Sequence, residues 1–259
     1  GNDLINVNGN LEPNGAVIVI SALGQLTAPG TYRLFNYTGT KTTSFSAVLS
    51  GDSRYAFSLD ESTPGQVNVV VSGAPSSLVW SGGSAGVWDV MSSLSWNGNS
   101  QAFYQADSVT FDDTAATNFV NLATTLYPSA VNLNASADYV FAGAGKLSGA
   151  MSLTKSGAGS LMISNANDFT GPVTITGGTL LAGNAAALGA TNSGTFVSGG
   201  GTLDVLNKNL GLEPITIAGA GVGGNGAVVN SGGEQQNAVR LLTLADDAAI
   251  GGVNRWDVR

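Results

Sequence analysis

Between residues 153 and 206 the chain reads LTKSGAGSLMISNANDFTGPVTITGGTLLAGNAAALGATNSGTFVSGGGTLDVL, and one phrase recurs through it. A short run of alternating apolar residues meets a glycine-rich corner, and another short run follows. Residues 160–163, 173–176, 179–181, 195–197 and 202–205 are each a few residues drawn mainly from Val, Ile, Leu, Phe, Met and Thr, with Gly, Asn or Ser close by. Strands this short cannot fold alone, so the pattern demands that they stack as successive rungs.

The composition fits such a stack. The 259 residues include 37 glycines and only 10% charged residues, yet 43% are hydrophobic, enough for a continuous core. Glycine, Asn and Ser let the backbone turn sharply, while Thr, Val, Ile and Leu favour the pleat. Stacked coils would form inward aliphatic columns and wet outward Thr, Ser and Asn, with corner asparagines bonding in ladders from coil to coil. A sandwich of hairpins is the competitor, but it calls for longer strands and more buried aromatics than an aromatic fraction of 7% supplies. The expected fold is all-β: a parallel β-helix, or β-solenoid, in a single elongated domain.

Outside the central stretch, strand candidates fall at 4–7, 16–20, 30–36, 44–49, 55–59 and 66–71, separated by turn chemistry such as EPNG at 12–15 and TPG at 63–65. GAPSS at 73–77 reads as a joint. Beyond the centre, 215–218, 227–230 and 239–245 continue the rungs, and only 184–188 and 245–250 look helical. GAGVGG at 219–224 fits a dinucleotide-binding glycine pattern in letters alone, because no helix follows to hold a pyrophosphate. It reads as a corner.

Side-chain chemistry narrows function by exclusion. The net charge is −8 and the nine basic residues are scattered, so no stripe exists to neutralise a nucleic-acid backbone. No apolar run approaches the length of about 18 residues that a membrane helix needs, so no membrane insertion is expected in this segment. Any export signal is expected outside it. With no cysteine and no histidine, thiol chemistry, disulfides, thiolate zinc sites and the usual serine-protease base are all excluded. No cofactor is expected.

Two constellations remain. Trp80, Trp88 and Trp96 are spaced eight apart. They read either as a platform for stacking sugar rings or as indoles filling a seam in the core. Asp112 and Asp113 end the DSVTFDD run at 107–113. They read as a calcium corner, as a catalytic acid pair, or as acceptors of turn N–H groups. Adjacent residues on a strand face opposite ways, which counts against the acid pair.

The stretch LTKSGAGSLMISNANDFTGPVTITGGTLLAGNAAALG at 153–189 resembles the autotransporter-associated β-strand repeat, also called the passenger-associated transport repeat. An LTK-G-G-L-L strand is followed by an Asn-x-Phe-Thr-Gly turn at 167–171 and by T-I-x-G-G-T-L at 174–180. WSGG at 80–83, SWN at 95–97 and the run at 107–113 look like the segment that opens a unit in such proteins. PGTYRLFNYTG at 29–39 and the stretch 54–73 look like the segment that closes one.

The resemblance therefore implies a closing segment at 1–73, a Trp-containing joint and opening segment at 74–138, and repeat-bearing coils at 139–259. A closing segment ahead of an opening one implies a piece of a longer tandem array, or copies joined end to end. The implied fold is a right-handed parallel β-helix on the surface of, or secreted from, a Gram-negative-type bacterium. The expected role is that of a structural or adhesive stalk, array or fibre without catalysis. Its partners would be itself or neighbouring repeat units, and polysaccharide. The alternatives are a carbohydrate-binding module using Trp80, Trp88 and Trp96, and a polysaccharide lyase or hydrolase of pectinase-like fold.

Overall fold

The computed structural model describes residues 4–20, 29–83 and 85–259. It is all-β apart from one 3-10 turn at Val222–Gly224, and among the described residues no helix is long and apolar enough to cross a membrane. The sequence pattern predicts one elongated body, whereas the chain divides into two compact units, Gly1–Ser76 and Ser77–Arg259.

The second unit is a β-solenoid. One wall is an eight-stranded parallel sheet running from Ser77–Val79 through Ser108–Phe111, Ala130–Asn134, Ser152–Ser156, Val173–Ile175, Thr195–Val197 and Pro214–Gly219 to Leu241–Ala248. A second wall of seven parallel strands runs from Val87–Trp88 to Val228–Val229. Successive coils recur roughly every 20–22 residues in the regular part, the separation spanned by coil-to-coil bonds such as Asn167 to Ala187 and Ser160 to Asp138.

Period-two alternation turns every second residue inward. Leu78, Val109, Val131, Leu153 and Val173 stack as one inward column, while Tyr139, Leu161, Leu180, Leu203 and Val228 form another on the facing wall. All are essentially inaccessible to solvent. Each buried aliphatic side chain contributes about 1.5–3 kcal/mol, so the columns supply the main stabilisation of the stack.

Corner glycines set how closely coils approach. A Cβ on Gly145 would lie closer than 3.0 Å to the carbonyl oxygen of Thr124, and one on Gly159 would meet that of Ala137 equally closely. The obstacle is backbone in both places, which no rotamer change relieves. Asparagines act at the same corners, though they bond to neighbouring backbone rather than to one another. Asn167 accepts from Leu147 N–H at 2.9 Å and donates to Ala187 C=O at 2.9 Å, tying three coils together. Asn165 donates to the carbonyls of Gly143 and Gly145.

Two polar groups interrupt the columns. Lys155 lies in register between Leu133 and Ile175 and is wholly buried. Its ammonium donates to the carbonyls of Ser156, Gly157 and Gly177 at 2.8–3.0 Å. Burial lowers its pKa to about 8, and the Asp138 charge opposes that shift. Thr195 takes the next place after Val173 in the first column. Its hydroxyl donates to Glu213 Oε1 at 2.8 Å, and Oε2 has no partner among the described residues. Burial pushes the Glu213 carboxyl up to about 6.

The first unit is mixed rather than purely parallel. Ile5–Val7 pairs parallel with Gly30–Tyr37, and Val17–Ile20 pairs parallel with Ala47–Ser50. Gln66–Ser72 instead runs antiparallel to both Gly30–Tyr37 and Ala56–Asp60. The reversal follows from a tight turn after Asp60. Asp60 accepts from Ser62 N–H at 3.0 Å, and Gln66 N–H donates to Thr63 C=O at 3.2 Å, leaving no room for a crossover. Tyr55, Val69 and Val71 form its core, with Tyr32, Leu34 and Phe57 packed around them. Two further expectations change: residues 184–188 form turns instead of a helix, and the helical look of 245–250 gives way to strand as far as Ala248, because pairing with Pro214–Gly219 overrides local alanine propensity.

Two measurements test this account. Gly145→Ala should lower unfolding stability by about 2–3 kcal/mol, whereas Gly224→Ala, at φ +76° in open space, should cost about 1 kcal/mol; equal melting shifts would refute the close-approach argument. The second concerns Glu213. Its folded pKa stands above the ordinary 4.5, so the stability it contributes is present below about pH 4.5 and is lost as pH rises through about 6. Glu213→Gln should therefore match the parent near pH 4.5 and gain about 1 kcal/mol at neutral pH, a difference that denaturant titration at the two pH values would detect.

Candidate functional site

The sequence points first to Trp80, Trp88 and Trp96. The coil from Ser77 to Asp107 leaves the regular path after Val87–Trp88 and returns through an isolated bridge pairing Trp80 with Trp96. That excursion folds all three indoles into the first level of the core. Trp80 and Trp96 meet edge to face at 4.9 Å between centroids, and Trp88 and Trp96 do so at 5.2 Å. Phe103, Phe111 and Phe141 complete the cluster. Each of the three tryptophans has 0% solvent exposure. None presents a face on which a sugar ring could stack, so the sugar-platform reading of Trp80, Trp88 and Trp96 is corrected to a packed aromatic core. Trp80 Nε1 donates to Thr117 C=O at 2.9 Å, whereas Trp88 Nε1 has no partner among the described residues.

Asp112 and Asp113 follow the strand Ser108–Phe111 and face different neighbours. Asp112 accepts from the Thr114 N–H at 2.9 Å and from its hydroxyl. Asp113 reaches across to the next coil, where its two oxygens accept from Ser136 N–H, Ser136 Oγ and Ala137 N–H at 2.9–3.0 Å. Those amide donors hold its pKa below the usual carboxylate value. The pair does not converge on a single point, and each carboxylate serves a turn. One coil further on, Asp138 repeats the device, accepting from Ser160 N–H and Oγ at 2.7 and 2.8 Å. Among the described residues no group of three carboxylates is gathered as a metal would require.

Sequence reasoning passed over the most unusual titratable groups. Lys155 carried a legible signal, since the alternation of LTKS at 153–156 turns Leu153 and Lys155 to the same inward side. Glu213 carried none, because it lies in a turn that no period governs. Both are held by the geometry of corners, and neither lies near the tryptophans in the sheet register.

Comparison with known proteins agrees with this architecture. Residues 153–182 match the passenger-associated-transport-repeat family. That span holds four strands, Ser152–Ser156 (all but its first residue), Ser160–Ile163, Val173–Ile175 and Thr179–Ala182, with the buried Lys155 and the bridging Asn167. A curated relative, the adhesin BmaC autotransporter of Brucella suis biovar 1 (strain 1330), is 28% identical over 317 aligned positions. The alignment covers 97% of this chain and 9% of the relative, so the chain spans less than a tenth of that protein's length. No solved structure matches. The chain thus carries a passenger-associated transport repeat at residues 153–182, in the middle of a parallel β-solenoid.

Proposed function

We propose that this chain is a structural and adhesive section of a passenger displayed outside a Gram-negative-type cell, and that it performs no catalysis. The observation that carries this reading is where the polar side chains are spent. Asp113, Asp138, Asn165, Asn167, Asp204 and Asn230 all bond to backbone or hydroxyl groups, most of them one coil away, so their chemistry builds the stack. The relative's name, adhesin, supports the adhesive half of the reading.

The partner best suited to the stack itself is more of the same. Leu241–Ala248 is the outer strand of the eight-stranded sheet, with Leu241 and Leu244 exposed. A neighbouring repeat unit, in the same chain or in another copy, would add a parallel strand there.

Beads coated with the 259-residue protein should adhere to host-cell monolayers above albumin-coated controls; equal counts would sink the adhesive role. Negative-stain electron microscopy should show end-to-end particles at high concentration, and monodisperse single particles throughout would defeat the assembly claim. Release of reducing or unsaturated ends from polysaccharides above background would overturn the non-enzymatic reading.

A further inference from the structure

The outward side of the eight-stranded sheet carries a column that the fold does not use. Register pairs Thr110, Asn132, Thr154, Thr174, Phe196 and Thr216 in unbroken succession, one residue per coil. Neighbouring members stand about 4.8 Å apart along the stack. All alternate with the buried columns, so their side chains face away from the core. Unlike the carboxylates and corner asparagines, the hydroxyls and the amide of this column are not among the groups that bind coil to coil. They remain available as donors and acceptors.

Phe196 is the exception in the column. It stands between Thr174 and Thr216 and is 44% exposed, whereas the apolar Val79, which continues the column beyond Thr110, is only partly exposed. A single exposed apolar side chain is ordinary on a protein surface. A ring rising from a line of free hydroxyls is a more particular arrangement, because it offers stacking area with hydrogen-bonding groups on both sides of it. The column contains no charged residue, and the chain as a whole carries −8, which disfavours an acidic partner.

We propose that this column is a docking surface for a linear neutral glycan, which lies across the coils, stacks one sugar ring on Phe196 and exchanges hydrogen bonds with Thr174 and Thr216. The inference rests on the adhesive reading and gives it a ligand class. It moves carbohydrate recognition from the buried tryptophans to the outward face of the eight-stranded sheet.

The test is affinity electrophoresis of the 259-residue protein through gels containing galactomannan or hydroxyethyl cellulose, with polygalacturonate as the acidic comparison. The neutral polymers should retard the protein and polygalacturonate should not. Phe196→Ala should weaken retention about three- to tenfold, and Thr174→Val with Thr216→Val should also weaken it. Phe119→Ala, which removes an exposed ring from the other sheet, should leave retention unchanged. Circular dichroism melting of each variant confirms that the fold persists. Failure of both neutral polymers to retard the parent, or full retention by Phe196→Ala, would overturn the proposal.

The bead assay separates the two readings. Adherence that ignores both Phe196→Ala and added galactomannan removes the glycan surface and leaves adhesion standing. Absence of adherence by the parent removes the adhesive role itself.

Discussion

Everything in the solenoid depends on how closely one coil's backbone can lie upon the next. Parallel strands exchange hydrogen bonds only at strand spacing, and the corners must meet that spacing as well as the walls. At Gly145 and Gly159 a neighbouring carbonyl occupies the space that a side chain would need. The high glycine content is therefore a packing requirement as much as a matter of turn geometry. With the corners that tight, few water molecules can reach the backbone there, and buried amides and carbonyls must find partners in adjacent coils.

That requirement explains the buried polar groups. Lys155 would be an improbable core residue by composition alone, yet its ammonium meets three corner carbonyls at once. Desolvation disfavours the charge, as the lowered pKa records, and the three acceptors offset much of that cost. Glu213 is the contrasting case. It has one donor and one unpartnered oxygen, and its carboxyl responds by holding its proton more strongly. The two groups show the same rule from opposite sides: a polar atom inside the stack is tolerated in proportion to the corner groups that reach it.

Much of this was legible in the letters. Alternation located the strands Ser160–Ile163 and Thr195–Val197 to the residue, and it placed others within a residue or two of their ends. The repeat at the centre of the chain pointed to coils because its apolar runs were too short for anything else. The antiparallel pairing of Gln66–Ser72 was not legible, since strand direction depends on whether a turn permits a crossover, and composition does not encode that. Nor was the fate of the tryptophans. Spacing of eight is compatible with either side of a wall, and only the excursion between Trp88 and Asp107 decides that all three turn inward. Phe196 was hidden for a related reason: inside the apolar triplet TFV it reads as core, and only its register beside Thr174 and Thr216 turns it outward.

The bonds between coils have a mechanical consequence. Asn167, Asp113 and Asp138 each reach no further than an adjacent coil, and the wall hydrogen bonds do the same. Tension applied to the polypeptide at one end of the solenoid therefore loads the outermost coil, while the interior stays at rest until that coil has peeled away. Each coil released adds about 70 Å of extended chain. Such a body lengthens in steps under pull, dissipating work at each one, and it keeps its remaining coils folded and able to hold whatever they carry.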